Sequence, residues 1–157
     1  MALEIASMRA QDEEAFLELT RAFYLHEHFD FDPVASGRLV RHLLATPQTG
    51  AVWLAWREGR AVGYLVLTRC YSLEFGGPFV LLDEIFVLPE ARGAGLGRRL
   101  IDTAAQYCRD TGAGYLRLEV QKKNARSVDL YRACGFRTED RHLMSLPIAG
   151  EMSGAKR

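Results

Sequence analysis

Val87-Leu88-Pro89-Glu90-Ala91-Arg92-Gly93-Ala94-Gly95-Leu96-Gly97-Arg98 joins an apolar run to an amphipathic one through three glycines at alternate positions. Upstream, Phe79 to Leu88 is apolar except for Asp83 and Glu84, and Pro89 stops it, as at the end of a strand. Downstream, Leu96, Leu100, Ile101, Ala104, Ala105 and Cys108 share one face of a helix that Gly112 and Gly114 close. Glycine between the two lets the chain turn sharply and lets a ligand approach backbone N–H groups closely. The helix start adds orphan donors and a positive dipole end, a ready pyrophosphate site with Arg92 and Arg98 on its flanks.

Two nucleotide motifs fail on this stretch. The phosphate loop of nucleotide hydrolases needs Gly, four free positions, then Gly-Lys and a hydroxyl residue, but Arg98 stands five positions after Gly93. The dinucleotide fingerprint needs a third glycine five positions after the first. Counting from Gly93 that place is Arg98, and from Gly95 it is Leu100. Read alone, the turn is equally a structural connection.

Outward from the turn, the elements alternate in period. Leu3, Ile5 and Met8 suggest a short strand. Ala15, Phe16, Leu19, Phe23 and His26 lie on one helical stripe, with Asp12 placed to cap it and Glu13 and Glu14 in its first turn. Asp32-Pro33 opens a second helix carrying Leu39, Val40, Leu43 and Leu44, which Thr46-Pro47 ends. Strands Ala51 to Trp56 and Ala61 to Thr68 flank Glu58-Gly59, a hairpin turn, and Gly76-Gly77-Pro78 is a further break. Tyr115 to Gln121 alternates as a strand, with Leu116, Leu118 and Val120 on one side. A helix from about Ala125 to Ala133 ends at Gly135, and Phe136 and His142 to Ile148 supply final strand material. The order predicts a mixed α/β sheet in one domain, residues 1–148, with 149–157 a flexible tail.

Composition agrees. The 157 residues are 48% hydrophobic and 25% charged, as in one globular domain. No apolar run reaches a membrane span, and the start lacks a basic-then-apolar signal region. Cys70, Cys108 and Cys134 show neither metal spacing nor a disulfide framework, so a reduced, cytoplasmic chain without a metal is expected. Twenty bases balance twenty acids, which argues against nucleic acid as a partner. The balance is uneven along the chain: residues 1–30 are acidic and 92–137 basic, so an anion suits the second segment and a cation the first.

Arg92-x-x-Gly95-x-Gly97, after Phe86-Val87-Leu88-Pro89-Glu90, resembles the glycine motif of the GNAT superfamily of acyl-CoA N-acyltransferases. Leu118-Glu119-Val120, Asn124, Leu130-Tyr131 and Gly135-Phe136 resemble that family's next segment in order and spacing. The resemblance covers almost the whole chain. It implies a mostly antiparallel sheet splayed at the cofactor site, four flanking helices, and acetyl-CoA as co-substrate. It places the pyrophosphate on Arg92, Gly93, Ala94, Gly95, Leu96, Gly97 and Arg98. It places the acetyl oxygen and pantetheine arm on the backbone of Ile85, Phe86 and Val87, with Asn124 and Ser127 also on the cofactor. Tyr131 would stand near the sulfur as general acid, and His26, Glu27 and His28 would border the acceptor.

Acetyl transfer to an amine needs a base, because an alkylamine is mostly protonated at neutral pH. Asp83 and Glu84 are the leading candidates, since acids inside an apolar strand are costly unless used. They are adjacent and so point to opposite faces. The resemblance to diamine acetyltransferases aligns the base with Asp83, and other branches align it with Glu119. A salt bridge to a neighbouring strand is the alternative for each. Cys134 reads as core rather than nucleophile, and Trp53 and Trp56, on opposite faces, need no functional account. The expected activity is acetylation of a primary amine on a small molecule: a polyamine, an amino acid or a similar cation. Acetylation of protein N-termini or lysines is one alternative, and a non-catalytic coenzyme A sensor is another. Pairing of relatives through edge strands leans towards a homodimer.

Overall fold

Residues 3–148 are described by a computed structural model. Strands β1 (Leu3–Ser7), β2 (Gly50–Arg57), β3 (Arg60–Ser72), β4 (Gly77–Val87) and β5 (Leu116–Leu118) form one sheet in chain order. Neighbours from β1 to β4 run antiparallel, and β5 joins β4 in parallel. Helices α1 (Glu13–Glu27), α2 (Pro33–Ala45), α3 (Leu96–Thr111) and α4 (Ala125–Ala133) complete the domain. This is the mixed, mostly antiparallel sheet with four helices that the sequence implied. No described helix is long and apolar enough to cross a membrane.

The turn chemistry explains the order. Glu58 and Gly59 both take left-handed φ, 52° and 77°, as a two-residue hairpin requires. Asp32 accepts from the N–H groups of Val34 and Ala35 and so caps α2, with Pro33 just inside. Adjacent residues of β3 divide the helices between two faces. The Tyr64 ring meets Phe16 and Phe23 of α1. Leu65 lies beside Trp53, whose ring meets Tyr107 of α3. So α1 covers one face and α3 the other. Tyr64, Leu54, Leu65, Leu67, Val80, Leu96 and Leu100 are fully buried between them. Leu100→Ala is expected to cost about 2–5 kcal/mol of stability by denaturant unfolding. A loss below about 1 kcal/mol would show that this face of α3 is not close-packed.

Three expectations change. Asp12 does not cap α1. Its carboxylate accepts from the Arg9 backbone N–H at 2.8 Å and from the Arg9 guanidinium, closing the 3-10 turn that precedes the helix. β5 is shorter than Tyr115 to Gln121, because it leaves β4 after Leu118. Residues 142–148 form no strand among the described residues: Phe136 packs edge-on against Tyr131, and everything from 137 to 148 is exposed. A period-two pattern specifies a face, whereas a strand also needs a partner edge. The tail expected at 149–157 lies outside the described residues.

Candidate functional site

The parallel pair β4–β5 is joined only at Val80–Leu116, Leu81–Arg117 and Leu82–Leu118. β4 runs on alone to Val87, so one edge of its last five residues is left open on the β5 side. Which groups face that opening follows from the β3 ladder. Leu88 N–H reaches Val62 O at 2.9 Å, and Phe86 opposes Tyr64 two residues back. The backbone groups of Phe86 therefore point at β3, and those of Ile85 and Val87 point into the splay. Val87 O confirms the sense by accepting from Arg92 Nε at 2.9 Å. Of the three backbone donors the resemblance named, Ile85 and Val87 are aimed at the cleft.

The glycine turn closes the cleft's end. Gly93 and Gly95 hold φ of 86° and 75°, a region side chains rarely adopt, and a Cβ at either would meet nothing within 4 Å. The bend thus has open space on its outer side. Gly97 differs: it lies within the first turn of α3, where a Cβ would meet Leu130 Cδ2 of α4 at 3.3 Å. Its absent side chain lets α4 approach α3. Leu96 is core, so only its backbone can serve a ligand.

Charge at this helix start runs against the dipole. The first turn of α3 carries Arg98 and Arg99 and no acid, where a helix favours anions. Arg98 Nη1 donates to Ala133 O at the C-terminus of α4, and Arg99 Nη2 to Leu3 O. Arg92 lies over the Phe86 ring at 5.7 Å. Burial lowers its pKa, and the nearby cation Arg126 lowers it further, with Glu27 opposing. Arg126, at the start of α4, joins the cationic mouth; only the like-charge pairing, which sequence does not show, reveals it. The mouth has the donors, the charge and the open space that a pyrophosphate needs.

Tyr131 sits on α4, half-buried against the core. Burial raises its phenol above the ordinary value, and Cys134 and Glu27 raise it further. Glu27 acts on both Arg92 and Tyr131, which places the end of α1 beside the turn. His26 is exposed with its ring 6.4 Å from Phe86, and His28 is the exposed left-handed residue that ends α1. Asn124 Oδ1 accepts from the Ser127 backbone N–H at 3.2 Å and caps α4, so the helix start uses that oxygen and that N–H. Glu119 is exposed one residue past the last ladder pair, Leu82–Leu118, level with Asp83.

The two strand acids separate as period two requires. Glu84 is 9% exposed and faces α1, accepting from Tyr24 OH at 3.0 Å and from Tyr64 OH at 2.7 Å. Both phenols are pushed well up, first by burial and then by the Glu84 charge. Asp83 is exposed and is the extra residue of a bulge, since Val66 pairs with Glu84 and Leu67 with Leu82. The two tyrosines were missed in the sequence. Phe16, Thr20 and Tyr24, four apart along α1, were the available signal for one of them.

A sheet splayed beside a glycine turn, with α3 opening on it, makes an α/β domain with a ligand-sized opening at the end of β4. The chain belongs to the Acetyltransferase (GNAT) family, whose model matches residues 13–136. It is 30% identical over 152 residues to the streptothricin acetyltransferase of Streptomyces lavendulae, covering 85% of this chain and 80% of that protein. It is 40% identical over 74 residues to the thialysine N-epsilon-acetyltransferase of Bos taurus; that match spans 47% of this chain and 43% of the relative. Among solved structures, an aminoglycoside N-acetyltransferase in complex with CoA superposes with a TM-score of 0.81 at 21% identity, covering 93% of this chain and 95% of that one.

Proposed function

We propose that this chain transfers an acetyl group from acetyl-CoA to a primary amine of a small molecule, by direct attack with both substrates bound. The observation that carries it is the open β4 edge running into the glycine turn, with the Tyr131 helix packed alongside. Supporting it, a relative aligned along 80% of its own length is named a streptothricin acetyltransferase. In this reading the thioester supplies the acetyl group, and the chain supplies position and protons. Backbone N–H groups of Ile85 and Val87 hold the carbonyl oxygen and the arm. Gly93 to Arg98, Arg92 and Arg126 hold phosphate. Tyr131 donates to the departing sulfur, and Asp83 takes the proton from the ammonium.

A thiol-release assay over small amines and peptides tests this. Turnover confined to small amines supports it, turnover on peptides alone shifts the acceptor to protein, and binding without any turnover makes the chain a sensor. The cofactor half has its own test. Gly95→Asp puts a carboxylate where phosphate would approach, and a short polar side chain tolerates the left-handed backbone. Calorimetry is expected to show acetyl-CoA bound at least about tenfold more weakly by a folded protein. Unchanged affinity would remove the turn from the cofactor site.

A further inference from the structure

One side chain ties the end of β4 to the glycine turn. Arg92 Nε donates to Val87 O at 2.9 Å. Between the two residues lies the short 3-10 turn Pro89–Ala91, which the Arg92 N–H closes on Pro89 O at 3.2 Å. The guanidinium also lies over the Phe86 ring, 5.7 Å from its centroid, and that ring is buried. Arg92 is thus held by its backbone, its Nε and its face, and Gly93 follows it at φ 86°. The carbonyl it holds needs a donor. Val87 is 9% exposed and ends β4 well past Leu82–Leu118, the last pair with β5. A buried acceptor left without a donor is costly.

That carbonyl also bears on the chemistry. On a strand the N–H and C=O of one residue point to the same side, so Val87 N–H and Val87 O share the splay. In the proposed reaction negative charge builds on the thioester oxygen beside that N–H. A bare carbonyl oxygen there would oppose the charge. Arg92 occupies the oxygen, fixes the end of the strand and sets a cation behind it. Nε does this work, which leaves Nη1 and Nη2 for phosphate.

We infer that Arg92 is a positioning residue for acetyl transfer: through Nε it holds the end of β4 in register with the glycine turn, apart from any contact its Nη groups make with phosphate. The inference rests on the reading above, which places the thioester at Ile85 and Val87.

Two substitutions pull the jobs apart. In Arg92→Gln, Nε2 stands as many bonds from the backbone as arginine Nε, so a donor to Val87 O is kept and the charge is lost. In Arg92→Lys the charge is kept, but the nitrogen lies one bond further out and has no planar N–H. Single turnover at saturating acetyl-CoA is expected to stay within about threefold of wild type in Arg92→Gln and to fall at least about tenfold in Arg92→Lys. Acetyl-CoA affinity is expected to split the other way, at least about tenfold weaker in Arg92→Gln and little changed in Arg92→Lys. Equal rates in the two variants, or a faster lysine variant, overturn the inference and leave Arg92 a phosphate ligand. A second measurement needs binding alone. By NMR, the Arg92 Nε–H proton is expected to exchange slowly with water both in the free protein and with CoA bound. Faster exchange on binding CoA means that the guanidinium leaves Val87 O for phosphate, which also overturns the inference. A wild-type protein that acetylates no amine fails the proposed function first, and the inference with it; wild-type turnover with equal variants fails the inference alone.

Discussion

Tyr131→Phe is expected to lower the rate of acetyl transfer about a hundredfold while acetyl-CoA affinity stays near that of the wild type. The variant keeps the ring that packs 5.7 Å from Phe136 and against the core, so α4 keeps its place. Only the hydroxyl is lost. Burial, Cys134 and Glu27 raise the phenol, so it holds its proton through the neutral range and is available as a donor. An ordinary thiol titrates near ~8.5, below a raised phenol, so full transfer before the bond breaks is uphill. The contribution is therefore made in the transition state, as negative charge builds on sulfur. That mismatch puts the effect at the lower end of the ~10²–10⁴-fold typical of a positioned acid. Single-turnover measurement at saturating acetyl-CoA isolates the step. Wild-type turnover would reduce Tyr131 to a packing residue.

How much of this was legible in the sequence depends on the range over which each signal acts. Glu58-Gly59, Asp32-Pro33 and the glycine turn are local: each needs a particular backbone conformation or cap within a few residues, and each was placed correctly. Asp12 misled because a short acid has two nearby sets of donors, and Arg9 won over the helix. The β5 boundary depends on where β4 stops pairing, which Val120 in a continuing alternation cannot report. The same limit applies to residues 142–148, whose pattern is right for a strand but which pair with no strand among the described residues. In the cleft, the spacing from Asn124 to Tyr131 was readable, but the pairing of Tyr24 and Tyr64 on Glu84 joins residues 60 and 20 positions apart. So did the bulge that makes Asp83 the extra residue, since it is a property of the pair Val66–Leu67 and Leu82–Glu84 together.

That arrangement makes the two strand acids unequal in a way that can be measured. A base that accepts a proton each turnover must pass it to water. Asp83 is exposed and can do so. Glu84 is buried with each oxygen accepting from a tyrosine hydroxyl, an arrangement suited to holding α1 against β3 and β4. Asp83→Asn is therefore expected to lose about 10²–10⁴-fold in turnover near pH 7 with little change in stability. Part of the loss should return as pH rises towards 9, because an alkylamine of pKa near ~10.4 then offers more of its free form and needs the base less. Glu84→Gln is expected to behave otherwise. An amide presents one donor to two hydroxyls that had both been donating, so one must turn or go unpaired, at about 1–3 kcal/mol of stability. Its residual activity should follow the wild-type pH profile. The reverse pattern, with Glu84→Gln showing the pH-rescued loss, would move the base to the α1 side of the strand. Full activity in both variants together with a pH-rescued loss in Glu119→Gln would move it across the splay, to the residue level with Asp83 just beyond β5.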